Sequence, residues 1–263
     1  MKIFFNKYEG TGNDFIIIDN RGALNISLTK DNISFLCHRR FGIGADGLIF
    51  IKDHPEQDFE MVYYNSDGEI ATMCGNGGRS VAAWAAANGY KRSGMTFMAA
   101  DGIHMASLVG DIVTLSMNPV KGISKIVNGW TLNTGSPHYV EFVKDTEDID
   151  IIKQGRAIRY SPLFEPEGIN ANFVSIGSHD LTVRTYERGV EDETLSCGTG
   201  VTASAIAATI SGQYDSNPVS IMTKGGRLAV HFTVNGDVVE DILLEGPANF
   251  VFSGSVELEK LHG

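Results

Sequence analysis

Apolar and polar positions along the chain fall first into the short runs expected of strands. Residues 3–8 read as one strand, and after the turn Gly10-Thr11-Gly12-Asn13-Asp14 the run Phe15-Ile16-Ile17-Ile18-Asp19 reads as a second. A helix is expected from about Lys30 to Arg39, entered through Ser27 or Thr29, with Ile33, Phe35, Leu36 and Cys37 toward the core. On that helix Cys37 reads as a small buried hydrophobe. The glycine-punctuated segment 41–47 feeds a strand at 48–51, not a helix, so it is not a phosphate-binding fingerprint. A strand at 59–64 ends in the turn Asn65-Ser66-Asp67-Gly68. The pattern then changes to small, apolar, helix-compatible residues, Ser80 to Ala87, stopped by Asn88-Gly89. Short strands are expected at about 95–100, 103–108 and 112–117.

The order then repeats. Thr11-Gly12-Asn13 returns as Thr134-Gly135-Ser136, Gly47 falls opposite Asn170, and Cys74 falls opposite Cys197, each pair 123 positions apart. Asn118-Pro119 likewise corresponds to Gly246-Pro247, with three strands preceding each. The last apolar stretches, 250–252 and 256–258, have no counterpart and are expected to cross back to the first half. This divides the chain into a first half, 1–118, completed by 249–263, and a second half, 119–248. The expected fold class is α+β: two pseudo-symmetric halves, each a twisted, mainly antiparallel sheet or barrel around a central helix, with the active site in the cleft between them.

Composition narrows the classes of function. With 263 residues and 43% hydrophobic content the chain can bury a sizeable core. A net charge of −11 and no Lys/Arg cluster larger than His38-Arg39-Arg40 argue against a nucleic-acid partner. The N-terminal apolar run is short and broken, and no window of about 18 apolar residues occurs, so a soluble, unexported, cytoplasmic protein without a membrane partner is expected. The three cysteines are spaced by 37 and 123 residues, and the seven histidines form no His-x-x-x-His pair. Neither pattern is a zinc or redox motif, so no metal is expected and reduced thiols fit best.

The candidate chemistry lies where the repeat preserves a reactive side chain. Met73-Cys74-Gly75-Asn76-Gly77 and Ser196-Cys197-Gly198-Thr199-Gly200 each run into a helix, which places each thiol just ahead of free backbone N–H groups and the positive end of a helix dipole. Such a place binds anions and lowers the pKa of a thiol. If both helix starts converge on one carboxylate, one thiolate can remove the α-hydrogen while the opposite thiol delivers a proton to the other face, inverting the carbon. Backbone donors of Gly75-Asn76 and Gly198-Thr199 stand to stabilise the charge that develops on the carboxylate. No cofactor is needed by this scheme. A thiol redox switch and a non-catalytic anion binder are the competing readings. Arg79, unfavourably placed for the dipole in the first turn, is expected to pair with Asp67 or Glu69. His138 reads as a structural hydrogen-bonding residue.

Seven motifs taken together resemble the diaminopimelate epimerase family across nearly the whole chain. They are Gly10-Thr11-Gly12-Asn13-Asp14-Phe15, residues 40–47, Tyr64-Asn65-Ser66-Asp67-Gly68, Met73 to Gly77, Asn170-Ala171-Asn172-Phe173, Tyr186-Glu187-Arg188-Gly189 and Ser196 to Gly200. The resemblance implies cofactor-independent interconversion of LL- and meso-diaminopimelate, in lysine and peptidoglycan precursor synthesis, with Cys74 and Cys197 as the acid/base pair. It implies that Gly75, Asn76, Gly198 and Thr199 hold the reacting carboxylate and that Asn13 and Glu187 meet the reacting amino group. Asn65, Asn170 and Arg188 would read the distant end of the substrate, and Gly47 and Ser136 complete the expected binding positions. Many members carry Gly-Asn-Pro-His where this chain has Gly135-Ser136-Pro137-His138, and serine cannot offer both an amide donor and a carbonyl acceptor. Family analogy also implies a homodimer. The nearest rival is a racemase or isomerase of another amino acid on the same scaffold, similar to proline racemase; that family tends to have Cys-Gly-His-Gly where this chain has Asn76.

Overall fold

The structure is a computed structural model that describes residues 2–22 and 26–257. It resolves into two compact units, residues 2–115 with 247–257 and residues 116–246.

The first unit contains β1 (Lys2–Gly10), β2 (Asn13–Asp19), α1 (Lys30–Cys37), β3 (Gly47–Lys52), β4 (Phe59–Asn65), α2 (Gly75–Ala87), β5 (Met95–Ala99), β6 (Gly102–Val109) and β7 (Ile112–Ser116). Its strands pair in the order β1 to β7, and the successive pairs run antiparallel, parallel, antiparallel, parallel, antiparallel and antiparallel. The unbroken apolar runs of β2 and β3 are explained by burial on both faces. Ile16, Ile18, Leu48 and Phe50 pack with Ile33, Leu36 and Cys37 of α1, while Ile49 faces Gly77 of α2 on the other side. The central helix α2 packs against β1, β2, β4 and β6.

The second unit contains β8 (Ser124–Ile126), β9 (Gly129–Asn133), β10 (Pro137–Phe142), α3 (Ile151–Arg159), β11 (Asn170–Ile176), β12 (Leu181–Glu187), β13 (Asp192–Thr194), α4 (Gly198–Ile210), β14 (Val219–Thr223), β15 (Gly226–Asn235) and β16 (Val238–Pro247). From β9 through β10, β11, β12, β14 and β15 to β16 the pairs are again antiparallel, parallel, antiparallel, parallel, antiparallel and antiparallel. The repeat therefore extends to sheet topology. α4 occupies the place of α2, packing against β9 to β12, β14 and β15, and its residues from Gly198 to Ala208 are all buried. A helix of Gly, Ala, Ser, Thr and Val with the single larger Ile206 over this stretch can be covered on every side because its mostly short side chains let strands approach from all directions.

Three local expectations are revised. The first helix stops at Cys37, two residues early, because His38 turns extended and its Nδ1 accepts the backbone N–H groups of Arg40 and Phe41. On that helix Phe35 is only half-buried, and Asn32 is buried instead, closing a reciprocal capping box with Thr29. The end of the chain forms one continuous strand, β17 (Asn249–Glu257), paired antiparallel with β1, where two shorter strands were expected. Gly254 does not break it: it lies opposite Phe5, whose ring occupies the space of a Cβ (2.7 Å to Cζ). The expected strand position Leu258 and the rest of 258–263 lie outside the described residues. Among the described residues no helix is long and apolar enough to cross a membrane.

Candidate active site

In the first unit the sheet topology gathers the candidate residues at one end. Asn13 opens β2, Gly47 opens β3, which runs parallel to it, and Asn65 closes the antiparallel β4 directly opposite Gly47. Gly47 allows a close approach there, since a Cβ would stand 2.4 Å from the Tyr63 ring and 2.5 Å from the Tyr64 carbonyl oxygen. Asn65 is exposed at the rim. Cys74 is the N-cap of α2, in extended conformation, and its Sγ accepts the Gly77 N–H at 3.5 Å. Gly75 and Asn76 occupy the first two helical positions, whose backbone N–H groups point out of the N-terminal end of the helix.

Polar partners tie the Asn13 and Asn76 side chains to the cysteine. Asn13 Oδ1 faces Cys74 Sγ at 3.6 Å and accepts Asn76 Nδ2 at 3.2 Å, while Asn13 Nδ2 donates to Asp46 Oδ2 at 2.7 Å. Asp14, next to Asn13, is paired with Lys7 and Arg39. Burial alone would raise the Asp14 carboxyl, but those two cations prevail and hold it at about 2. Arg79 departs from expectation. It is fully buried and donates to Asn76 Oδ1 (3.0 Å), Thr11 Oγ1 (3.3 Å), Gly75 O (3.4 Å) and Pro247 O (3.4 Å), so its partners are neutral oxygens. Glu69 instead pairs with Lys30, and Asp67 accepts the Glu69 backbone N–H. Burial lowers the Arg79 guanidinium to about 10, which leaves it charged near neutrality.

The second unit repeats the arrangement with different side chains. Ser136 precedes β10, Asn170 opens the parallel β11, and Glu187, half-buried, closes β12 just before Arg188. Cys197 is the N-cap of α4, buried, with Thr199 Oγ1 at 3.4 Å from its Sγ; Gly198 and Thr199 begin the helix. Thr199 Oγ1 also lies 2.9 Å from His138 Nε2 and 3.2 Å from Ser136 Oγ. Asn172 Nδ2 donates to His138 Nδ1 at 3.1 Å and to the Tyr139 carbonyl at 2.8 Å, so the imidazole proton sits on Nε2, toward the two hydroxyls. Burial, reinforced by the charge of Arg188, pushes His138 down to about 3, and the ring is neutral.

Asn170 spends its amide within the unit. Its Nδ2 donates to Ser136 Oγ (3.2 Å) and the Pro137 carbonyl (3.0 Å), and its Oδ1 accepts the Arg188 backbone N–H at 2.8 Å. Asn170 therefore fixes Ser136 and the backbone of Arg188. The Arg188 side chain reaches the Glu167 carbonyl at 3.3 Å.

Asn13, Asn76 and Cys74 thus form one hydrogen-bonded group, and Ser136, Asn170, Thr199 and Cys197 form another. Asp46, Asn172 and the buried state of Arg79 were missed from sequence. Asp46 and Asn172 both lie inside motifs already singled out, residues 40–47 and 170–173, and that was the signal available.

Comparison with known proteins gives the family. The family model for diaminopimelate epimerase matches residues 5–121 and 130–251. The diaminopimelate epimerase of Flavobacterium psychrophilum is 48% identical over 258 residues, covering 97% of this chain and 100% of that protein. The diaminopimelate epimerase of Aquifex aeolicus is 39% identical over 280 residues, covering 98% and 99%. Among solved structures, a phenazine biosynthesis protein of the PhzF family from Bacillus anthracis superposes with a TM-score of 0.74 at 15% identity, covering 98% of this chain and 100% of that one. A hydroxyproline epimerase from Agrobacterium vitis, solved with trans-4-hydroxy-L-proline, gives 0.71 at 13% identity, covering 98% and 93%. At such identities the structures share the fold alone. Family model and relatives each span nearly the whole chain, and the protein belongs to the diaminopimelate epimerase family.

Proposed function

We propose that the protein interconverts LL- and meso-diaminopimelate without a cofactor, using Cys74 and Cys197 as an acid/base pair. The observation that carries this reading is that both cysteines hold the same place, the N-cap, on the two corresponding helices Gly75–Ala87 and Gly198–Ile210. A helix start favours the thiolate and offers N–H donors to an anion. One thiolate removes the α-hydrogen from one face and the other thiol returns a proton to the opposite face, so the roles exchange with the direction of reaction. Carbanion formation places charge on the substrate carboxylate. Donors at Gly75, Asn76, Gly198 and Thr199 stabilise it, each typically by about 2.7–4 kcal/mol.

Asn13 presents its Oδ1 to the reacting ammonium group, with Glu187 as the second acceptor. Arg188 and Asn65 read the distal end, Gly47 leaves room at the strand end, and Asn170 holds Arg188 and Ser136 in place. The setting we infer is a reducing cytosol, where the thiols stay reduced. A homodimer is the inferred assembly, supported by the exposed apolar side chains Phe250, Val251 and Phe252 along β17.

Proton NMR in D₂O tests the mechanism. Starting from the LL-isomer and reduced protein, the first meso product carries deuterium at the inverted carbon while recovered LL-substrate stays protiated. Equal deuterium in substrate and product from the outset indicates one base serving both faces and overturns the reading.

A further inference from the structure

Between the Arg79 guanidinium and the Asp46 carboxylate runs a line of two side-chain amides that can point only one way. Arg79 Nη2 donates to Asn76 Oδ1 (3.0 Å), Asn76 Nδ2 donates to Asn13 Oδ1 (3.2 Å), and Asn13 Nδ2 donates to Asp46 Oδ2 (2.7 Å). A guanidinium has no acceptor and a carboxylate has no donor, so the two ends impose one direction on everything between them. Turning over the Asn13 amide would set oxygen against the Asp46 carboxylate and N–H against the Asn76 N–H. Both ends are anchored. Asp46 is held by Arg39 Nη2 at 2.7 Å and by the Asp14 backbone N–H at 3.1 Å, and Arg79 is fully buried among its four oxygens. The open side of Asn13 Oδ1 is where Cys74 Sγ lies, at 3.6 Å.

We propose that Asp46 and Arg79 are positioning residues that keep the carbonyl oxygen of Asn13, and not its NH₂ group, turned toward Cys74. In the resting enzyme that oxygen accepts the Cys74 thiol proton. Resting on the proposed function, the same lone pairs receive the substrate ammonium, so the amine competes with the thiol for Asn13 as it arrives. A reversed Asn13 would repel the amine with its own N–H groups. Asp46 and Arg79 touch neither substrate nor proton in this scheme; they act through the two amides.

An exchange of groups tests the relay in the full-length protein. Asn13→Asp sets an acceptor-only group against the acceptor-only Asp46, and kcat/KM is expected to fall about tenfold or more. Asp46→Asn alone is also expected to lower it. Combined, the two substitutions restore a donor between the positions with the roles exchanged and keep an oxygen toward Cys74, so kcat/KM should recover in part relative to Asn13→Asp, short of the parent because the Asp14 backbone N–H loses the Asp46 oxygen it shared with Asn13. The iodoacetamide alkylation rate of Cys74, read at fixed pH with Cys37 and Cys197 changed to serine, should shift in Asn13→Asp and return in the pair. This arm needs no turnover, so it reports on the relay even if diaminopimelate is not the substrate. Should Asn13→Asp be recovered unfolded, soluble yield replaces turnover, and a gain in the pair supports the relay. Losses that multiply, or the absence of any gain in the pair by the readout used, overturn it.

Discussion

His138 Nε2 and Thr199 Oγ1 stand 2.9 Å apart, both buried, and the same hydroxyl lies 3.4 Å from the sulfur of Cys197. The imidazole therefore supports the helix start that carries the second cysteine, and it does so uncharged.

Acid should expose that dependence. Burial holds His138 at about 3 in the folded protein, against 6.5 for a free imidazole. As pH falls below 6.5 the unfolded chain takes up a proton that the folded chain refuses, so this residue removes stability progressively from about 6.5 down to about 3. His138→Asn is expected to be less stable than the parent at pH 7.5 but to lose less on acidification to pH 5. Urea midpoints of both proteins at the two pH values provide the check, and parallel losses would refute it.

Arg79→Met should lower stability and turnover together. It leaves Asn76 Oδ1, Thr11 Oγ1 and the Gly75 and Pro247 carbonyls without their buried donor, a cost of about 1–3 kcal/mol for each that finds no other partner. With the donor to Asn76 Oδ1 gone, turnover of the folded fraction is also expected to fall about tenfold. Arg79→Lys, which keeps a donor, should lie between. Melting curves beside kcat decide the matter; a collapse of stability with normal specific activity in the folded fraction would contradict it.

Gly47→Ala should be costly at a strand end. The new methyl meets the Tyr64 carbonyl, which is backbone and cannot rotate away, besides the Tyr63 ring. A loss of about 1–3 kcal/mol is expected from the overpacking, with a raised KM as the end of β3 shifts. Denaturant unfolding and steady-state kinetics measure the two effects.

Arg188→Ala should cost diaminopimelate far more than a substrate without the distal carboxylate, since only the former loses a bidentate partner. The ratio of kcat/KM values for the two substrates reads this, and an unchanged ratio would assign Arg188 to the fold.

Phe250 and Val251, adjacent on β17, are 54% and 52% exposed. Charged substitutions at both positions, Phe250→Lys with Val251→Glu, are expected to convert a dimer to monomers in light scattering after gel filtration. A monomeric parent protein would remove the basis for the dimer.

The duplication and the N-cap cysteines were legible in the sequence because both rest on register. An offset of 123 residues survives wherever strands and helices cannot change length without moving a side chain to the wrong face. What lay out of reach was long-range polar partnership. Arg79 at a helix start looked like a cation in need of a carboxylate, and nothing local shows that amide and carbonyl oxygens will enclose it. Asp46 looked like part of a glycine loop, since its partner Asn13 lies 33 residues away. Ser136 differs for the same reason: its hydroxyl is taken up by His138, Thr199 and Asn170, three residues separated along the chain.

The pairing of β17 with β1 carries a consequence for how the chain is made. Lys2 to Glu9 find their antiparallel partners between Asn249 and Glu257, on the other side of the second unit in sequence. During synthesis β1 leaves the ribosome before the whole of residues 116–246 and waits for β17 before that edge is covered, whereas residues 116–246 form an uninterrupted stretch. The discontinuous unit is thus completed after the continuous one, and until then β1 offers an open edge to any passing strand, a period in which chaperones have most to protect.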